Sequence, residues 1–155
     1  MVIKFLDGDI FQSKCEALVN PVNTEGICGK GLALDFAHKF VPNYRIYQRA
    51  CDLKKLTVCK MLPTGPYITQ PKWIINFPTK KKWKTPSEMK WIIGGLLDLK
   101  DVIKELHITS IAIPAIGCGL GGLKWTDVRR SIENIFGENE MDPIVNLEME
   151  VYMPK

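Results

Sequence analysis

Between Met89 and Leu106 apolar residues return at strict three- and four-residue intervals: Met89, Ile92, Leu96, Leu99, Ile103 and Leu106. That spacing lays a single apolar stripe along a helix. Its start reads as a capping box, Thr85-Pro86-Ser87-Glu88, with proline at the first helical position. Directly afterwards the helical period vanishes, and residues 108–113 read as a short strand bounded by Pro114. A one-sided helix that runs straight into a strand must be one layer of a layered structure, and the rest of the chain repeats the alternation. Strands are expected over 2–6, 17–20, 61–63, 67–69 and 73–77. Helices are expected over 32–40, with Ala33, Phe36, Ala37 and Phe40 on one face, and over 43–53 beyond Pro42. A last helix over 126–136 and a last strand over 144–153 complete the series. Such alternation predicts an α/β domain with helices on both faces of a sheet, and a site in the loops at strand ends.

Composition narrows the class. The 155 residues suit one domain, and 46% hydrophobic with 25% charged residues is a globular balance. No apolar run approaches the roughly 18 residues of a membrane helix. Charges at Lys4, Asp7 and Asp9 come too early for a signal peptide, so a soluble cytoplasmic protein is expected. The five cysteines (Cys15, Cys28, Cys51, Cys59 and Cys118) show no C-x-x-C spacing, and His38 and His107 stand alone. Neither a disulfide framework nor a metal site is expected. His38 reads as a helix-surface residue and His107 as a turn residue. Net charge is +4, yet the stretch from Lys72 to Lys90 alone carries +5, leaving −1 for the remainder. A local basic patch argues for a polyanionic partner.

Two glycine-rich turns each precede a helix: Gly26-Ile27-Cys28-Gly29-Lys30-Gly31 and Gly117-Cys118-Gly119-Leu120-Gly121-Gly122. Glycines let backbone N–H groups surround an anion, and a helix N-terminus behind them adds positive charge. Two such loops suit a diphosphate held from two sides; both being ligand-free tight turns is the competing reading. The first is not a Walker A loop, because Thr24 and Gly31 stand where its first Gly and its Ser/Thr belong. The second fits G-x-G-x-x-G but lies too near the C-terminus to be followed by the second half of a dinucleotide fold.

Four segments in this order resemble the macrodomain family: Gly8-Asp9-Ile10, Ala17-Leu18-Val19-Asn20-Pro21-Val22-Asn23, Gly29-Lys30-Gly31-Leu32-Ala33 and Gly117-Cys118-Gly119-Leu120. The resemblance runs from Val2 to about Phe136. It implies a three-layer α/β/α macrodomain with a central mixed sheet, filling 1–155 as a single domain and binding ADP-ribose. Gly29-Lys30-Gly31 in place of a triple glycine, with Asn76-Phe77-Pro78-Thr79-Lys80, is similar to the DarG-type antitoxin branch, DNA ADP-ribosyl glycohydrolases related to the human terminal ADP-ribose glycohydrolase. The resemblance implies a hydrolase that removes ADP-ribose from bases of single-stranded DNA, thymidine by analogy. It needs no cofactor and opposes a DarT-type toxin, which a further C-terminal domain of that family contacts; here the chain ends at Lys155, which suggests the macrodomain alone, as a monomer.

By the same resemblance Asp9 accepts from the adenine amine, with the Ile10 N–H beside it. Asn23 holds the distal ribose and is counted with Lys80 as catalytic. Gly29, Lys30, Gly31 and Leu32 face the distal ribose and phosphate, and Gly117, Cys118, Gly119 and Leu120 the diphosphate. One departure stands out. The human relative has an aspartate directly after Gly-Cys-Gly-Leu, where this chain has Gly121. Glu25 is the acid nearest the ribose segment in sequence. Cys118 reads as a packed residue and not as a nucleophile.

Chemistry allows Lys80 two roles. As a neutral amine it attacks the sugar carbon and forms a covalent intermediate; as an ammonium it positions the substrate. Like charge from Lys81, Lys82 and Lys84, and the start of the long helix, are expected to push its pKa down. Those lysines interleave with Trp73, Trp83 and Trp91, the makings of a single-strand groove, with Trp83 expected to be the exposed ring and Trp73 and Trp91 expected to be buried. Lys81, Lys82, Trp83 and Lys84 are therefore the DNA-contact candidates. Three functions compete: the hydrolase, a non-catalytic ADP-ribose-binding module, and a nucleic-acid-binding domain whose glycine loops are structural.

Overall fold

The computed structural model describes residues 1–137 and 144–155. The chain runs through β1 (Val2–Leu6), a 3₁₀ turn (Ile10–Gln12), β2 (Ala17–Asn23), α1 (Gly31–Lys39), α2 (Val41–Asp52), β3 (Leu62–Thr64), β4 (Trp73–Lys80), α3 (Met89–Glu105), β5 (Ser110–Ile113), α4 (Trp125–Phe136) and β6 (Glu148–Tyr152). Six strands form one sheet in the order β1-β6-β5-β2-β4-β3. Only β3 is antiparallel to its neighbour, so the sheet is mixed, as expected.

Period-two alternation builds the two faces. Ala17 and Val19 of β2, Ile75 and Phe77 of β4, and Ile111 and Ile113 of β5 join the core that α3 and α4 cover. Leu18, Ile74 and Ala112 turn the other way, against Phe36 of α1, and Val22 packs with Tyr47 and Cys51 of α2. The α3 stripe is buried as its spacing requires: Ile92, Leu96, Leu99 and Ile103 are at most 1% exposed. Helices therefore cover both faces, giving three layers. No helix among the described residues is long and apolar enough to cross a membrane.

Several sequence expectations are corrected. β2 and β4 do not stop at Asn20 and Phe77 but continue to Asn23 and Lys80, through Pro21 and Pro78. β2 pairs with β5 only at Ala17 and Leu18, and β4 pairs with β3 only at Ile74, Ile75 and Asn76. Beyond those residues each strand is paired on one side, and proline is tolerated at an open edge. Residues 67–69 are not a strand: they lie between Pro66 and Pro71 in a loop closed by Tyr67 N–H donating to Lys72 O at 2.7 Å. The capping box does not form either. α3 starts at Met89 with Glu88 as its N-cap and no side-chain cap. The Thr85 hydroxyl instead donates to Lys82 O at 3.1 Å, and Ser87 N–H donates to Gly121 O at 2.9 Å. A competing tertiary contact thus outweighs the local cap. Pro42 lies in the first turn of α2, which begins at Val41. β6 is shorter than its expected range, whose residues 144–147 lie outside it.

A buried amide network ties α2 to the sheet. The Asn76 amide donates to Asn43 Oδ1 at 2.8 Å and to Leu62 O at 3.0 Å, Asn20 donates to Asn76 Oδ1 at 3.0 Å, and the Thr64 hydroxyl donates to Asn43 Oδ1 at 2.8 Å. Asn43 is only 1% exposed. Asn43→Ala takes the acceptor from one Asn76 amide bond and from the Thr64 hydroxyl in the interior, so urea titration should show a loss of about 1–3 kcal/mol of unfolding free energy. An unchanged midpoint would mean the network is energetically idle.

Candidate functional site

The strand extensions that carry Pro21 and Pro78 end at one cleft of about 880 Å³. Its wall is formed by Asp9 and Ile10 after β1, Asn23 at the end of β2 and residues 29–32 beyond it, Thr79, Lys80 and Trp83 at the end of β4, and residues 117–121 after β5. The carboxyl ends of parallel strands are the usual place for a ligand in such sheets. All the ribose, diphosphate and adenine candidates of the sequence line this one cleft, as do Lys80 and Trp83. Lys81, Lys82 and Lys84 do not; they are exposed beside it. Sequence reasoning missed Asp35 and Lys39 on α1, and Tyr152 to Lys155 after β6, which also line it. The i, i+4 spacing of Asp35 and Lys39 after Gly31 was available as a signal; the C-terminal residues gave none. Glu25 lies outside the cleft lining.

At one end, Asp9 caps the 3₁₀ turn, its Oδ1 accepting from Phe11 N–H at 2.9 Å. The cap fixes the carboxylate at the rim. The Ile10 N–H beside it donates to no group among the described residues.

The loop after β5 is built to leave its donors free. Leu123 N–H donates to Gly117 O at 2.9 Å and Gly122 N–H to Gly119 O at 3.2 Å, which fold the loop back on itself. The N–H groups of Gly117, Gly119, Leu120 and Gly121 have no acceptor among the described residues. Gly117 has φ +76°, and a Cβ there would lie 2.9 Å from Leu123, so only glycine suits the turn. Across the cleft, the N-terminus of α1 has neither a side-chain cap nor an acid in its first turn. Unsatisfied N–H groups on both sides attract an anion. Cys118 beside them is half-buried and its thiol is pushed up to about 11 by burial, which keeps it protonated at neutral pH.

Asn23 is spent largely on its own loop. Its Oδ1 accepts from Glu25 N–H at 3.0 Å, from Gly26 N–H at 3.1 Å and from the Tyr47 hydroxyl at 3.0 Å, while Nδ2 donates to Ile27 O at 2.8 Å. One amide proton is left for a ligand. Tyr47, 1% exposed, also donates to Asn23 O at 2.8 Å, so α2 holds this loop from below.

Lys80, the last residue of β4, is 8% exposed. Its Nζ donates to Trp83 O at 2.8 Å. Burial pulls its pKa below the ordinary lysine value. The expected like-charge cause is corrected: Lys81, Lys82 and Lys84 are exposed, where solvent screens them, and desolvation is what acts. Trp83 is 38% exposed with the Lys84 ammonium 5.1 Å from its ring centre, and Lys81 lies 5.5 Å over the half-buried Trp91. Trp73 is half-buried against the core. His38 is exposed on α1, and His107 is exposed in a turn with φ +55°. No cluster of three or more potential metal ligands occurs among the described residues.

The comparisons agree with this geometry. The family model described as "Macro domain" matches residues 19–132. Among curated proteins, a DNA ADP-ribosyl glycohydrolase of Thermus aquaticus is 39% identical over 99% of this chain and 41% of its own length. One from Mycobacterium tuberculosis is 44% identical over 87% of this chain and 39% of its own. The chain thus spans about two fifths of the length of these relatives. Among solved structures, the macrodomain of Thermus aquaticus DarG superimposes with a TM-score of 0.90 at 38% identity, covering 99% of both chains. Thermosipho africanus DarTG in complex with ADP-ribose gives 0.84 at 32% identity, over 98% of this chain and 41% of that one. Matched by the family model over most of its length and by a DarG macrodomain from end to end, this chain belongs to the macro domain family.

Proposed function

We propose that this domain binds ADP-ribose in the cleft and hydrolyses it from a base of single-stranded DNA, opposing a DarT-type transferase. The observation that carries the catalytic half of this reading is Lys80: a buried lysine with a lowered pKa, in the wall of the cleft that also holds the free N–H loop. A pure binding module has no use for a desolvated amine at that place, and buried perturbed groups in clefts mark active sites. Related proteins named DNA ADP-ribosyl glycohydrolase support the substrate, and a Thermosipho africanus transferase–glycohydrolase fusion, 35% identical, supports the partner.

In this reading the adenine amine donates to the Asp9 carboxylate and the ring accepts from Ile10 N–H. The free N–H groups of residues 117–121 and the α1 N-terminus hold the diphosphate. The distal ribose then lies among Asn23, Gly29 to Leu32 and Lys80. The bond broken joins its anomeric carbon to a base nitrogen, through an oxocarbenium-like state, and water supplies the hydroxyl and the proton of the two products. Incubation with ADP-ribosylated single-stranded DNA should release free ADP-ribose; intact modified DNA after prolonged incubation would leave only the binding module.

Asp9→Ala should weaken ADP-ribose binding about ten- to a hundredfold, the worth of one hydrogen bond to a charged acceptor. Calorimetry checks it, and unchanged affinity would remove Asp9 from the adenine site. The exposed lysines and Trp83 give a second expectation. Lysines that meet phosphates release counterions, so turnover of modified DNA should fall with salt far more steeply than binding of free ADP-ribose. Parallel salt slopes would remove Lys81, Lys82 and Lys84 from DNA contact.

A further inference from the structure

The segment after Lys80 is strapped to both ligand loops. At its start Lys81 O accepts from Thr24 N–H at 3.2 Å and from the Thr24 hydroxyl at 2.9 Å, on the loop that follows β2. At its end Ser87 N–H donates to Gly121 O at 2.9 Å, on the loop that follows β5. In between, Thr85 N–H and its hydroxyl close a turn onto Lys82 O. The carbonyl that holds the Lys80 ammonium, Trp83 O, belongs to this strap. Lys80 is therefore positioned by a short segment whose far end is fixed to residues 117–121.

The far contact is unusually close. A Cβ on Gly121 would lie 2.5 Å from both Ser87 Oγ and Gly117 O, so the loop backbone packs directly on Ser87. Ser87 is 5% exposed, and its hydroxyl is one of three buried polar side-chain atoms without a partner among the described residues. A buried hydroxyl left unpaired is unfavourable, and such groups call for an explanation. Ser87 lies outside the cleft lining whereas Gly121 lies within it, so the Ser87 N–H draws the Gly121 carbonyl away from the space an anion enters. Gly117 O, on the same loop, and Ser87 Oγ both lie 2.5 Å from where a Gly121 Cβ would stand, so Gly117 O is a loop acceptor close to the idle hydroxyl.

We propose that an anion on residues 117–121 shifts Gly117 O onto the idle Ser87 hydroxyl, so that Ser87 is a positioning residue that reports occupation of the diphosphate loop to Lys80 through the strap. The proposal rests on the reading of residues 117–121 as a diphosphate site. It makes the amine competent only when the nucleotide is seated, so that a glycosidic bond is attacked on a correctly docked substrate. Mutating Ser87 should then damage turnover and leave nucleotide affinity almost intact.

The test uses ADP, which fills the diphosphate loop and lacks the distal ribose. Lysine side-chain NMR titration of Lys80, assigned by its loss in Lys80→Ala, is recorded with and without saturating ADP in the wild type and in Ser87→Ala. ADP is expected to displace the Lys80 titration in the wild type, and Ser87→Ala should lose at least half of that displacement while binding ADP within about threefold of wild type. Equal displacement in the two proteins overturns the proposal. So does a Ser87→Ala protein whose kcat on modified DNA equals the wild type's. No ADP binding by the wild type would instead overturn the diphosphate reading itself. Because Ser87→Ala only removes an unpaired hydroxyl, the variant should fold; Ser87→Gly serves as the second variant with the same expected result.

Discussion

Lys80→Ala is expected to abolish release of ADP-ribose from DNA, by about three orders of magnitude or more, while free ADP-ribose binds nearly as well. In the proposed reading the nucleotide is gripped by groups at the ends of β1, β2 and β5, which line the cleft, and Lys80 stands at the end of β4. A group placed at the bond being broken appears in rate and not in ground-state affinity. Lys80→Arg separates its two roles. Arginine keeps the charge and does not deprotonate, so it restores part of the rate only if lysine acts as a cation. The pH profile must agree in sign. As a nucleophile Lys80 works in its neutral form, so the rate climbs with pH and levels off below the ordinary lysine range near 10.4, because burial lowers its pKa. As a cation it loses activity over that same interval. Native turnover by Lys80→Ala would leave the binding module as the better reading.

The second large effect belongs to Gly121. The human relative has an aspartate directly after its Gly-Cys-Gly-Leu run, and restoring it looks like a simple gain of an acid. Here the Cβ of that aspartate would lie 2.5 Å from Gly117 O and from Ser87 Oγ. Backbone cannot yield as a side chain can, so the loop must shift. Overpacking of this kind costs about 1–3 kcal/mol, or roughly 2–12 °C in melting temperature for a chain of this size. The new carboxylate also stands beside a loop proposed to hold a diphosphate. Gly121→Asp is therefore expected to lower ADP-ribose affinity by about a hundredfold or more and to slow turnover with it. Thermal shift and calorimetry check both halves. A variant that melts and binds like the wild type, or turns over faster, would show that the loop can open at Gly121.

Much of the layout was legible in local pattern. The 3/4 spacing from Met89 to Leu106 is a property of one stretch of chain, and it became α3 because a stripe of that width has to be buried. The two glycine runs were legible for the same reason: a loop that must free its N–H groups restricts its own residue types. Other features depended on which neighbours a residue meets. Pro21 and Pro78 look like strand breakers until one sees that β5 and β3 have already ended beside them. Thr85 to Glu88 carry every local mark of a cap, yet Gly121 takes the Ser87 N–H. Asn23 resembles a ligand residue in sequence, and only the meeting of α2 with β2 shows its carbonyl oxygen shared with Tyr47 and three loop residues. Lys80 sits in a run of lysines that is solvated except at this one position, because β4 carries its last residue into the cleft and the next residues turn out of it. Sequence alone thus determined the layers and the two glycine loops, since those follow from periodicity and backbone freedom. The desolvation of Lys80, the attachment of its strap and the closed space at Gly121 were decided by the tertiary structure, because each is a relation between segments distant in the chain.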